Sequence, residues 1–159
     1  MNELMKTWRG FRRLNGFERG IALEAAAVLA ATWVGLRLAG FRRWKTVVTW
    51  LAPKPAPTSS ARDTGHLDSA RVVTRLEESV ARHLFFGSNC LERSLVLWWL
   101  LRVRGISAEL RIGARKEADR FEAHAWVELG GEVLSSGSDA HLHFVPFEGP
   151  LISMETQSR

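Results

Sequence analysis

Apolar residues recur first at helical spacing and then at strict alternation, and the switch falls at Gly105. Residues 2–14 read as an Arg-rich helix. Residues 18–38 read as a helix rich in Ala and Leu, with Leu23, Ala27, Ala30, Val34 and Leu38 as its apolar stripe. Gly40 ends that helix, and residues 41–51 form a short one mixing Arg42, Arg43 and Lys45 with Trp44 and Trp50. After a Pro- and Ser-rich stretch, Leu67, Ala70, Val73, Leu76, Val80 and Leu84 mark an amphipathic helix. Residues 90–104 form the next one. Asn89 is its natural N-cap, Glu92 the reciprocal half of a capping box, and Gly105 its left-handed stop.

Beyond Gly105, Ala108, Leu110, Ile112 and Ala114 alternate with Glu109, Arg111 and Gly113. A second strand sets Phe121, Ala123, Ala125 and Val127 against Glu122, His124, Trp126 and Glu128. Residues 115–120 make a charged hairpin tip and Gly130-Gly131 a tight turn. Residues 132–135 give a third strand, and residues 141–147 a fourth, placed at an edge by Pro146. Helices followed by an antiparallel meander predict an α+β domain, its helices packed on one face of the sheet.

Composition narrows the class. A chain of 159 residues with 46% apolar and 25% charged positions suits one globular domain and excludes a mainly disordered one. Its single Cys excludes a disulfide scaffold and makes a reducing cytosol the simplest compartment. Charge is split: residues 1–62 carry 11 Lys/Arg against 3 Asp/Glu, residues 63–159 carry 11 against 14. The split divides the chain into a basic helical N-terminal extension (1–51), a linker (52–65), a working domain (66–150) and a C-terminal tail (151–159). The basic part suits an acidic partner, an anionic membrane surface or nucleic acid. Between Glu24 and Arg37 only 12 residues are free of charge, so no transmembrane span is expected, and Glu24 spoils a signal peptide.

Cys90 sits in the first turn of a capped helix, where orphan backbone N–H groups and the helix dipole favour a thiolate and can hold an oxyanion. A lone Cys is otherwise a small buried hydrophobe. His124 is the one His in mid-strand. It shares a face with Trp126, and a helix N-terminus laid against that face would bring Cys90 within reach. Its bland alternative is a satisfied core histidine. Asp139, the only Asp after His124, is the candidate to orient the imidazole, against the alternative of a solvated turn residue; Glu128 and Glu132 flank the turn at the far end of the sheet. Asn89, Arg93 and Trp126 are candidate oxyanion or substrate contacts, and Arg93 equally suits an intramolecular pair. Trp98 and Trp99 read as core. His141 and His143 alternate onto one strand face and, with His124 and Cys90, offer zinc-ligand chemistry, but nothing has metal-ligand spacing and no metal is expected.

The stretch CLERSLVLWWLLRVRGISAELRIGARK, followed by FEAHAWVELGGEVL, resembles the transglutaminase-like cysteine proteases of lasso-peptide biosynthesis, the leader peptidases acting before macrolactam closure. The resemblance covers about residues 67–150. It implies a papain-like or transglutaminase-like fold, Cys90 as nucleophile and His124 as base. Where that family often has Asn-Asp, this chain has Ser135-Ser136, so Asp139 is either a shifted substitute or unrelated. The implied reaction removes the leader from a ribosomally made precursor through an acyl-enzyme, without a cofactor. The implied partners are the precursor leader peptide, a separate leader-recognition protein and an ATP-dependent lasso cyclase. A cytoplasmic protein with peripheral membrane contact is expected, and nucleic acid is not. The rivals are a non-catalytic basic binding protein with a decayed site and an acyltransferase on the same fold.

Overall fold

A computed structural model describes residues 14–53, 64–83, 87–117, 120–134 and 139–147. Three helices, α1 (Gly16–Leu51), α2 (Thr64–His83) and α3 (Cys90–Arg102), precede four strands: β1 (Glu109–Glu117), β2 (Arg120–Leu129), β3 (Glu132–Val133) and β4 (Val145–Pro146). The helix expected over residues 2–14 lies outside the described residues, as does most of the linker, whose last two residues already belong to α2.

Helix α1 begins at a capping box in which the Asn15 side chain accepts from the Glu18 N–H and the Glu18 carboxylate accepts from that of Asn15. Gly40 breaks it as expected, with φ 73° and ψ 165°, conformations an L side chain resists. The second limb folds back so closely that a Cβ on Gly35 would fall inside the Trp44 ring. The buried face differs from the expected stripe. Ile21, Ala25, Leu29, Thr32 and Gly35 face inward, whereas Leu23, Val34 and Leu38 face solvent. The inner face mixes large Ile21 and Leu29 with small Ala25 and Gly35, the last making room for Trp44 of the second limb. By length and composition alone α1 could cross a membrane, and 33% of its most apolar window is buried.

One core joins Ile21, Ala25, Leu29 and Val48 of α1, Ala70, Val73 and Leu76 of α2, and Leu95 to Leu101 of α3 to Leu110, Val127 and Leu129 of the sheet. The basic N-terminal helix is thus packed into the body of the protein. Trp98 is fully buried, as read from the sequence, and Gly105 ends the helix region at φ 73°.

The sheet is antiparallel with order β3-β2-β1-β4, so it is not a simple meander: β4 returns to pair with β1. The first three residues of the expected fourth strand belong instead to a 3₁₀ helix, Asp139–His143, and only Val145–Pro146 pairs. His141 and His143 therefore do not alternate along a strand. Pro146 lies on the edge strand, as its missing N–H requires. Register pairs Leu110 with Val127 on the inner face, and Gly113 with His124 and Arg111 with Trp126 on the outer.

Candidate active site

Asn89 adopts an extended conformation, its side-chain oxygen accepts from the Glu92 N–H at 2.9 Å, and the Glu92 carboxylate accepts from the Asn89 N–H at 3.0 Å. The capping box read from the sequence thus fixes the start of α3. Arg37 of α1 pairs with the buried Glu92 at 3.2 Å while stacking over Trp33, which ties the first helix to this cap. The Arg93 N–H goes to the Asn89 carbonyl. Among the described residues this leaves the backbone N–H groups of Cys90 and Leu91 for a ligand. Cys90 itself is half-buried.

One turn along α3, the Ser94 hydroxyl donates to the Ala125 carbonyl at 2.9 Å in a buried bond. The direction of that carbonyl follows from the sheet. Val127, two residues on, accepts from the Leu134 N–H on the β3 side, and alternate residues of a strand point their backbone groups the same way. Ladder pairing with β3 covers only Glu128 and Leu129, so among the described residues no strand lies beside Ala125 and His124 on that edge. Ser94 fills it. Residues i and i+4 share a helix face, so Cys90 lies on the same side of α3 as the Ser94 that grips the residue next to His124.

This corrects one expectation. The helix does not lie on the face that carries His124 and Trp126. Its body packs under Val127 and Leu129, and its first turns meet β2 along the open edge. The physical reason is the apolar run Leu95 to Leu101, which needs the Leu110–Val127 face.

His124 stands on the outer face, half-buried between Trp126, at 6.1 Å between ring centroids, and Phe144, at 5.2 Å. The 3₁₀ helix and β4 cover this face, with His141 beside Trp126 at 6.4 Å. Gly113, paired with His124, permits the cover: a Cβ there would come 2.8 Å from the Val145 carbonyl oxygen and 2.9 Å from the Trp126 ring. Burial, and secondarily the charge of His141, hold His124 below the ordinary histidine value of 6.5. A neutral imidazole at neutral pH can take a proton from a thiol.

The remaining candidates separate. Trp126 is buried and its one N–H donates to Glu128 at 2.6 Å, so it is not available to hold an oxyanion and serves instead as a wall for His124. Arg93 binds Glu77 of α2 through Nε and Nη2, each at 3.3 Å, which realises the intramolecular pair. Burial pushes the Glu77 carboxyl above its usual range and Arg93 opposes that shift. Glu132 pairs with Arg71, away from the site. Asp139 opens the 3₁₀ helix that runs on to His141. Among the described residues no three His, Cys, Asp or Glu converge to hold a metal. A cleft of about 360 Å³ at the α3 cap is lined by Leu36, Arg37, Phe41, Asn89, Leu91 and Glu92, and a cavity of about 550 Å³ lies near His66 and Arg104; neither is lined by Cys90 or His124. Reading along the chain missed Ser94 and Gly113. Ser94 carried a signal, being the one uncharged polar residue in CLERSLVLWWLLR.

The transglutaminase-like superfamily profile matches residues 28–148. The chain belongs to that superfamily. The match takes in most of α1 together with the working domain. A 58-residue segment is 43% identical to the microcin J25-processing protein McjB of Escherichia coli; it amounts to 36% of this chain and 27% of that protein. No solved structure matches.

Proposed function

We propose that this superfamily member processes a lasso-peptide precursor, as a cysteine protease that removes the leader. The observation that carries the reading is the Ser94–Ala125 bond, which docks the turn bearing Cys90 against the strand bearing His124. The similarity to a microcin J25-processing protein supports the pathway. His124 takes the Cys90 thiol proton, and the thiolate attacks the last leader carbonyl. The backbone N–H groups of Cys90 and Leu91 receive the oxyanion, and the amide oxygen of Asn89 stays in the cap. Protonated His124 passes its proton to the departing core-peptide amine, which leaves a thioester. Water then attacks the thioester, releasing the leader acid and restoring the thiol. The 360 Å³ cleft beside the cap, lined by the neighbours Asn89 and Leu91 of Cys90, offers room for leader side chains. A separate leader-recognition protein presents the precursor, and an ATP-dependent cyclase uses the freed amine.

The test is incubation of the protein with a precursor peptide and its recognition protein, read by mass spectrometry. Free leader acid and core peptide are expected, and Cys90→Ala should abolish both. Cleavage that persists in Cys90→Ala overturns the reading. A leader joined to an added amine, with no free acid, would assign an acyltransferase instead.

A further inference from the structure

Helix α1 buries one face and shows solvent another that is apolar along almost its whole first limb. Leu23 is 62% exposed, Val34 44% and Leu38 84%, and Gly20, Ala27 and Ala31 lie exposed between them. At 100° per residue these six fall on a single side, opposite Ile21, Ala25 and Thr32. No charged residue interrupts that side between Arg19 and Arg37. A soluble helix normally carries charge there. On the second limb the residues opposite the buried Val48 include Arg43 and Trp50, the latter 81% exposed, with Arg42 exposed beside them.

Charge identifies the occupant. Helix α1 holds five cations, Arg19, Arg37, Arg42, Arg43 and Lys45, of which Arg37 is paired with Glu92, and two acids. Both acids are engaged by the protein, Glu18 by its own N-cap and Glu24, at the border of the exposed side, by Arg104. An apolar strip with cations at its ends and an exposed Trp among arginines is the chemistry of a surface that enters the headgroup layer of an anionic bilayer. Crossing the bilayer would pull Ile21, Ala25 and Leu29 out of the core. We infer that the solvent face of α1, from Gly20 to Leu38 with Arg43 and Trp50, is a docking surface for anionic lipid, on which the protein lies flat. The inference is independent of the reaction at Cys90.

Flotation of the full chain with vesicles of phosphatidylcholine containing about 30% phosphatidylglycerol, against phosphatidylcholine alone, tests it. Binding to the anionic vesicles is expected, weakening at high salt. Leu23→Glu with Val34→Glu should lower it about tenfold or more, since carboxylates enter an apolar layer at high cost, with an unchanged circular dichroism melt because both sites face water. Arg43→Glu should lower binding chiefly at low salt. Failure to float with anionic vesicles overturns the inference, as does equal flotation of the double variant. It is equally overturned if the wild type sediments as a dimer that the double variant dissolves, because a second copy would then own the face.

Discussion

The Ser94 hydroxyl donates to the carbonyl of Ala125 across the open edge of β2, and both atoms are buried. A backbone acceptor that would otherwise lack a partner is thereby satisfied by a helix instead of a strand. Ser94→Ala should cost about 1–2 kcal/mol, since the carbonyl is left dry and unpaired. It should also lower the rate of leader removal beyond the change in folded fraction. Urea titration and the cleavage assay run at matched folded fraction check both, and an unchanged rate would show that the bond holds the fold without setting the Cys90 turn.

Arg93 and Glu77 give the second prediction. Arg93→Ala leaves the buried Glu77 without its bidentate partner and should destabilise by about 1–3 kcal/mol, discounted because Arg93 is itself partly exposed. Pairing Arg93→Met with Glu77→Gln should recover part of that loss, because the buried Glu77 charge is gone while Glu78, 3.8 Å from Arg93, still loses a partner. Activity per folded molecule should stay level in the double variant. A raised KM there would return Arg93 to the list of substrate contacts.

Much of this arrangement is written locally in the chain. The cap at Asn89 and Glu92, the stop at Gly105 and the alternation through β1 and β2 depend on neighbours a few residues apart, and each stands where periodicity and residue chemistry put it. What could not be read depends on tertiary choice. The inner face of α1 went to Ile21, Ala25, Leu29 and Gly35 and not to Leu23 and Leu38, a choice set by where α1 meets the rest of the core and, at Gly35, by the Trp44 ring. The return of β4 to β1 needed the open space over Gly113, which no local pattern announces. Residue type and position alone single out Cys90 and His124 as candidates. The face on which the helix would meet the strand was not legible, because it was set by where Leu95 to Leu101 could be buried.

Gly113→Ala should be far more costly than an ordinary Gly-to-Ala change in a strand. The new methyl meets a backbone oxygen at 2.8 Å and the indole of a buried Trp at 2.9 Å, and the two-residue β4 is the element that gives way. A loss of about 1–3 kcal/mol is expected, with faster proteolysis around Val145 as the readout of a displaced cover. Unchanged proteolysis at equal stability would mean that the outer face is looser than described.

His124 sets a pH dependence. Its folded value lies below 6.5 because of burial first and His141 second, so the unfolded chain binds the proton more readily. Stability from this group is therefore full above about pH 6.5 and falls as the pH drops through the lowered folded value. Melting temperatures at about pH 7.5, 6.5 and 5.5 should decline on the acid side, and His124→Gln should flatten part of that decline. His141→Asn removes the repulsive charge and should raise the His124 titration followed by NMR. A titration that stays put would leave burial as the whole cause.

Asp139 is the candidate to orient the His124 ring. It begins the 3₁₀ helix whose His141 packs beside Trp126, and the same segment continues into Phe144 against His124. Its backbone thus belongs to the cover over the His124 ring. If its carboxylate orients that ring, Asp139→Asn keeps the shape, removes the charge and should slow leader removal by about 10- to 100-fold, less than the loss in a serine triad because a thiolate–imidazolium pair leans less on its orienter. The pH profile should shift with it, since a lost neighbouring carboxylate lowers the imidazole's affinity for a proton. The competing arrangement gives the orienting role to Ser136 or to a backbone carbonyl. In that case Asp139→Asn is silent in both rate and pH profile, and Ser136→Asp, which installs the residue the resembling family often carries, raises activity. Running the two variants side by side in the cleavage assay separates these outcomes, and a silent Asp139→Asn removes Asp139 from the site.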